Sequence, residues 1–331
     1  MKQRVGFVLV LCLLLSLATA GQAAPKKWRA GLVVSRPHPW FDALDYFAEK
    51  VKEVSNGEIE VVIYPAGQLG NENVMLSSIG DGSLDIFIGG LSTCSAYSAK
   101  VGFCNLGRLF YDQAHFERAL AYGGPVDRYF RELMEGVGAN FKVLSLTGGG
   151  LRNLSARMPV RSIEDLAGVK MRVPNVQAAA AFWEGLGTLP VSMAFTEIYT
   201  ALQTGVVDAF ESTVPSYVSS KLYEVAPYHN KTEHEFMVSI FLMRKDLFDK
   251  LSPEMQKAVH KAGVEAGEVA MQSGVELTAA LLAELESKGV TLVEVDKDGL
   301  QAVAIPLQDQ MAAELGMTQL LEDIRSLREE K

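Results

Sequence analysis

Leu166-Ala-Gly-Val-Lys-Met-Arg-Val-Pro-Asn175 alternates Val169, Met171 and Val173 with Lys170 and Arg172, the period-2 pattern of a strand with one buried face. Pro174 has no N–H to continue a ladder, so the strand stops there. Arg172 therefore stands at the last polar-facing position, at the carboxyl end of the strand. In an open α/β sheet that end is where ligands sit. A guanidinium there offers a planar donor fork that fits a carboxylate and keeps its charge. A surface arginine on the wet face of a strand fits the same pattern. The choice depends on the rest of the chain.

Working outward, strand and helix patterns alternate. Strands are expected at Trp28–Val34, Ile59–Tyr64, Leu84–Gly89, Lys142–Leu146, Val169–Val173, Val207–Glu211, Phe236–Met243 and Val290–Val293. Helices are expected at Trp40–Val54, Glu72–Gly80, Ala114–Glu135, Val176–Gly185 and Thr196–Thr204. This rhythm predicts an α/β fold with largely parallel sheets. Ser252 and Pro253 announce a long helix to about Ser287; some 35 residues make about 50 Å, longer than one domain is wide. Such a helix is expected to cross between domains. Residues from Asp298 to Arg328 read as helical too. Thr147-Gly-Gly-Gly150 is expected to be a domain junction, because three glycines remove every Cβ and permit unusual backbone angles.

The chain of 331 residues carries a net charge of -9, with 48% apolar and 21% charged residues. Those values fit a globular protein large enough for two domains. Lys2 and Arg4 precede an apolar run from Val5 to Leu15, and Ala18-Thr19-Ala20 follows as a small-residue cleavage site. Residues 1–24 are therefore expected to be a secretory signal peptide, too short for a membrane span. Its removal takes two basic residues and no acidic ones, so -9 becomes -11. That acidity argues against nucleic acid or an anionic membrane as partner. Cys94 and Cys104 then remain. In an oxidising compartment they would either close a bridge contributing on the order of 2–3 kcal/mol or stay buried thiols.

No sequence pattern names a reacting constellation: G-x-S-x-G, H-E-x-x-H, Walker A and C-x-x-C are all absent. His229 and His234 are five apart and off any common helical face, so a solvated loop entering a strand is expected in place of a metal site. His115 and His260 read as surface residues. Ser212, before Val214-Pro215, reads as either a helix cap or a group at a strand's carboxyl end. Arg152 follows the glycine triplet as a further candidate for anion binding.

Five stretches in order then carry a resemblance over nearly all of the chain beyond the signal. They are Tyr64-Pro-Ala-Gly-Gln-Leu-Gly-Asn-Glu72, Gly80-Asp-Gly-Ser-Leu-Asp85, Ile163-Glu-Asp-Leu-Ala-Gly-Val-Lys-Met-Arg-Val-Pro174, Met193-Ala-Phe-Thr-Glu-Ile-Tyr199 and Ala201-Leu-Gln-Thr-Gly-Val-Val-Asp208. Together they resemble the substrate-binding proteins of TRAP transporters, the DctP-like family. The resemblance implies a two-domain periplasmic binding protein fold with the ligand cleft between the domains and a long helix spanning both. It assigns Arg172 to the ligand carboxylate, Arg152 to a second arginine beside it and Phe195 to an aromatic that packs on the ligand. Asn175 and Glu72 match positions that often line the cleft. Ser212 stands where the family commonly has asparagine, and Val33 and Gly90 where sugar-acid-binding relatives carry polar side chains. His38 and Trp40 begin the first helix and are placed to face the cleft, although Trp40 reads as core packing before cleft wall.

The expected division is residues 25–149, with 236–275 returning, as domain I, and 150–235, with 280–331 packing on it, as domain II. The expected function is a periplasmic, non-enzymatic protein, without cofactor or metal, that captures a small organic acid for a sodium-coupled membrane permease. Loss of polar positions at Val33, Gly90 and Ser212 points to an apolar or aromatic monocarboxylate; a C4-dicarboxylate, a sugar acid or a sensor-presenting role are the alternatives.

Overall fold

The computed structural model describes residues 24–328; the expected signal peptide lies outside them apart from its last residue. Chain order begins β1 (Lys26–Gly31), α1 (Pro39–Val54), β2 (Ile59–Tyr64), α2 (Glu72–Asp81) and β3 (Ile86–Gly90). Two 3-10 turns, Leu91–Ala96 and Ala99–Asn105, lead to α3 (Gln113–Leu120), α4 (Pro125–Gly136) and the long β4 (Phe141–Ala156). Then come β5 (Lys170–Val173), α5 (Gln177–Gly185), β6 (Leu189–Ser192), α6 (Ile198–Gln203), β7 (Ala209–Thr213) and α7 (Val214–Ser219). The last section holds β8 (Tyr228–Arg244), α8 (Lys245–Asp249), α9 (Pro253–Leu285), β9 (Thr291–Glu294), α10 (Asp298–Leu315) and α11 (Thr318–Ser326).

The strands join in the order β2-β1-β3-β8-β4-β7-β5-β6, with β9 added to β8. The outer pairs are parallel, as the βαβ rhythm requires, but β3–β8, β8–β4 and β4–β7 are antiparallel. The sheet is therefore mixed and not largely parallel. β4 and β8 run the full width. Ser239–Met243 of β8 carries β3, and Arg152–Ala156 of β4 carries β7, which makes two α/β domains on one pair of shared strands.

The junction lies inside β4. The ladder with β8 loses register between Gly148 and Leu151, and Gly150 has φ 107°, a conformation that suits glycine alone. The expected triple-glycine junction thus coincides with an irregularity inside a continuous strand.

α9 has 33 residues and begins at the Ser252 cap, whose side chain accepts from the Met255 N–H. It packs on α1, β4 and α7, so it touches both domains. Its seam is built of small residues. A Cβ on Gly267 would come within 2.6 Å of Ser145 Oγ, and one on Gly263 within 2.6 Å of Leu144 Cβ. The helix therefore lies directly on the sheet, where the Thr147 hydroxyl donates to the Gly267 carbonyl at 2.5 Å.

Several expectations change. The helix expected over Ala114–Glu135 is two, because a Cβ at Gly124 would strike the Ala119 and Ala121 carbonyls at 2.8 Å and Pro125 opens a new helix. Asp298–Arg328 is broken at Gly316, which has φ 65°. β6 was missed because Pro190 argues against a strand, and it is tolerated at a sheet edge. His229 and His234 lie in β8, each 1% exposed, and not in a solvated loop. His115 is buried as well: its Nδ1 accepts from Tyr111 N–H and its Nε2 donates to the Ile324 carbonyl at 2.7 Å. Through that contact α11 packs on α3 and α4, so the chain's end returns to the helices of the first domain instead of staying on the second. Cys94 and Cys104 are buried free thiols.

Candidate functional site

Carboxyl ends of strands from both domains face one another across a cleft. β1 leads into Val33, β3 ends at Gly90, β5 at Val173, and β7 presents Ser212. Two adjoining cavities occupy it. The inner one, about 50 Å³, is lined by Val33, Trp40, Gly90, Arg152, Ser212 and Met237 among others. The outer one, about 410 Å³, includes Asn71, Asn73, Ser92, Ser95, Asn175 and Ser192. Glu72, Ser92, Thr93, Arg172, Pro174 and Phe195 line both.

Arg172 is 4% exposed. Its Nε and Nη2 donate to the Met193 carbonyl at 3.2 and 2.8 Å, which fixes the plane of the guanidinium. Among the described residues no carboxylate lies within ion-pair distance of it. Burial brings its pKa down to about 10, with Arg152 adding to the fall and Glu211, Glu72 and Glu197 opposing it. It stays cationic at physiological pH, a buried positive charge without a counter-ion. That state is costly in the empty protein and is relieved by a bound anion.

Arg152 occupies a different environment. Its Nε donates to Glu211 Oε2, its Nη2 to Glu211 Oε1 at 2.7 Å, and Glu235 Oε1 stands 3.7 Å from Nε. Two buried carboxylates thus already share the second arginine, although it lines the inner cavity beside Arg172. Glu211, His234 and Glu235 could present ligand atoms within 4.8 Å of one another. A cation placed there would have to displace the Arg152 guanidinium.

The remaining expected residues divide. Phe195, Ser212, Asn175, Glu72 and Trp40 all line the two cavities. Ser212 is not the helix cap: Thr213 is, its hydroxyl accepting from Ser216 N–H. The Trp40 indole N–H donates to Ser239 Oγ at 3.0 Å, so the ring is core on one side and cavity wall on the other. Burial holds Glu72 above the usual carboxylate range. His38 is set behind the wall. Its Nδ1 accepts from Trp40 N–H at 3.2 Å, so Nε2 carries the proton toward Ser216 Oγ at 3.0 Å. Burial lowers its pKa to about 3 and keeps it neutral. This bond ties α1 to α7, and the Ser95 hydroxyl donating to the Asn175 carbonyl at 3.0 Å makes a second tie across the cleft.

Sequence reasoning missed Asn71, Asn73, Ser92, Thr93, Ser95 and Ser192. The signal was present: Ser92 and Thr93 follow the carboxyl end of β3, as Asn175 follows that of β5, and Asn71 caps α2 with its side chain accepting from Val74 N–H. A larger cavity of about 550 Å³ lies elsewhere, between α3, α4 and α9. Its guanidinium, Arg131, is already held by Asp127 at 2.7 Å, so the chemistry for an acid sits in the smaller cleft.

A family description, "Bacterial extracellular solute-binding protein, family 7" (DctP), matches residues 30–314. A solute-binding protein of Sulfitobacter sp. is 31% identical over 316 residues, covering 94% of each chain. A TRAP periplasmic solute-binding protein from Sulfitobacter sp., solved with α-D-taluronate, is 30% identical with a TM-score of 0.85 over 91% of this chain and 98% of that one. Another, from Bradyrhizobium sp. and solved with D-galacturonate, is 29% identical with a TM-score of 0.84 over 91% and 100%. The chain belongs to the DctP family of bacterial extracellular solute-binding proteins, the substrate-binding components of TRAP transporters.

Proposed function

We propose that this protein binds a polyhydroxylated monocarboxylate of the hexuronate type in the periplasm and passes it, unreacted, to a TRAP membrane permease. Arg172 carries the reading: it is a buried, orientated guanidinium with no protein counter-ion, facing a cavity between two domains. The carboxylate docks on Arg172 at the boundary of the inner and outer cavities. Ser212 and Ser216 stand on the inner side, and Phe195 packs on the carbon skeleton. Domain closure removes water, which strengthens each charge contact in the lower local dielectric.

The ligand body is set by the walls. Val33, Trp40, Gly90 and Met237 give the inner cavity an apolar side beside Arg152, Arg172, Ser212 and Ser216, but at about 50 Å³ it is a third of the roughly 150 Å³ that holds a benzene. It admits the carboxylate end and not an aromatic ring. The outer cavity offers Asn71, Asn73, Ser92, Thr93, Ser95, Asn175 and Ser192. A chain of hydroxyls satisfies such groups, whereas an apolar body would leave them desolvated and unpaired. The taluronate and galacturonate bound by two relatives accord with this choice.

Bound ligand raises the melting temperature by mass action. A thermal-shift screen over hexuronates, aldonates, C4-dicarboxylates and aromatic monocarboxylates is expected to show stabilisation by the first group. Stabilisation confined to aromatic acids would overturn the ligand class, and stabilisation by no acid would overturn the function.

A further inference from the structure

Between Arg152 and the 3-10 turn Ala99–Asn105 lies a buried carboxyl group that the binding of an acid does not by itself require. Glu235 on β8 is 6% exposed and accepts from Asn105 Nδ2 at 3.0 Å. Its charged and titratable neighbours come from β4, β7, β8 and the turn at Cys104. Arg152 on β4 stands 3.7 Å away, and Glu211 on β7 already takes the closer contacts with that arginine. His234, next in the chain, is turned to Glu211 at 3.5 Å and to Thr232 Oγ1 at 2.9 Å. Cys104 is buried beside Asn105, and Arg108 binds the Glu233 carbonyl.

Two carboxylates on one guanidinium leave a buried excess of negative charge next to the place where a third carboxylate must dock. A second observation points the same way. Asn105 Oδ1 is buried with no hydrogen-bond partner among the described residues. An ionised Glu235 only accepts, so it cannot help that oxygen. A protonated Glu235 has one O–H to give, and the acceptor lacking a donor sits on the same amide that already donates to Glu235 Oε1.

We propose that Glu235 is a positioning residue that holds a proton at neutral pH, so that Arg152 is balanced by Glu211 alone and Arg172 keeps one uncompensated positive charge for a monoanion. Burial is in keeping with this: it raises the Glu235 carboxyl to about 8 against the pull of Arg152, with Glu211 adding to the rise. Ionising Glu235 cancels the surplus charge, and bound ligand in turn favours the proton. The affinity for an acid then falls with rising pH, by up to about tenfold per unit above pH ~8. Arg172, at about 10, acts only well above that onset.

The linkage rests on the proposed carboxylate docking; the proton itself does not. The test therefore has two arms on the full mature chain. In the first, carbon-13 NMR follows the side-chain carboxyl of Glu235 without ligand, its signal identified by its loss in Glu235→Gln. The expected result is a protonated carboxyl at pH 6 that titrates near 8; a carboxylate at pH 6 overturns the proposal whether or not any acid binds. In the second, D-galacturonate binding is measured by calorimetry from pH 6 to 9.5 in buffers of different ionisation enthalpy. Proton uptake near pH 8–9 and weakening above 8, both lost in Glu235→Gln, are expected. Wild-type binding that is flat to pH 9.5 overturns the proposal. Failure of D-galacturonate to bind at all counts against the docking, and the first arm still decides the proton.

Discussion

Replacing Arg172 with methionine separates its two roles, because the change removes the charge and the donor fork while keeping most of the volume. The bound carboxylate would lose a counter-ion that is itself only 4% exposed. Arg152 cannot take over, since Glu211 already pairs with it. Removing one partner of such a pair costs about 2–5 kcal/mol, or roughly 30-fold to several-thousandfold in affinity. The upper half of that range is expected here. The empty protein responds in the opposite direction. An arginine drawn from 12.5 to about 10 by burial destabilises the unliganded fold by about 3 kcal/mol. Methionine leaves the Met193 carbonyl without its donors, at about 1–3 kcal/mol. The unliganded variant should therefore melt no lower than wild type. Calorimetric titration with D-galacturonate and paired melting curves with and without ligand measure both effects. Undiminished affinity, or an unliganded variant several kcal/mol less stable than wild type, would refute the reasoning.

Other perturbations follow from the same contacts. Glu235 binds its proton more tightly folded than unfolded, so between the usual glutamate range and about 8 the folded state holds more protons and stability falls as pH rises. Glu235→Gln is expected to flatten that slope and to gain on wild type from pH 5 to 8 in urea titrations; parallel curves would count against it. Gly267→Ala places a Cβ 2.6 Å from Ser145 Oγ and should lower stability by about 1–3 kcal/mol, with partial rescue by Ser145→Gly, read as a shift in denaturant midpoint at constant slope. Cys94, which burial pushes up to about 12, and Cys104 should resist alkylation in the folded protein. Both should be modified in denaturant without reductant, as mass spectrometry would show.

Much of the site was legible because β5 is short, alternating and stopped by a proline, so the direction of its carboxyl end could be read from residues alone. Seven of the eight expected ligand residues line the two cavities. The exception, His38, was placed at the right helix start but serves as the cap of α1 and a tie to Ser216. What could not be read was the company each residue keeps across the sheet. Arg152 carries the same charge as Arg172, yet pairing of β4 with β7 and β8 sets it against two carboxylates. Arg152 lies 59 and 83 residues from those carboxylates, Glu211 and Glu235, a distance local pattern does not span. The burial of His229 and His234 escapes local pattern for the same reason: Ser155 hydrogen-bonds His229 and Glu211 faces His234, from 74 and 23 residues away. The polar outer wall is assembled from short turns and strand ends, where no period marks which side chains face a cavity.

A crystal structure of the complex with D-galacturonate tests the central claim most directly. The account predicts the carboxylate within about 3 Å of the Arg172 guanidinium, with the hydroxyls against the Asn71–Asn73 and Ser92–Ser95 wall and both domains in contact with the sugar. Ligand density in the cavity between α3, α4 and α9, or a carboxylate held in the cleft away from Arg172, would contradict it.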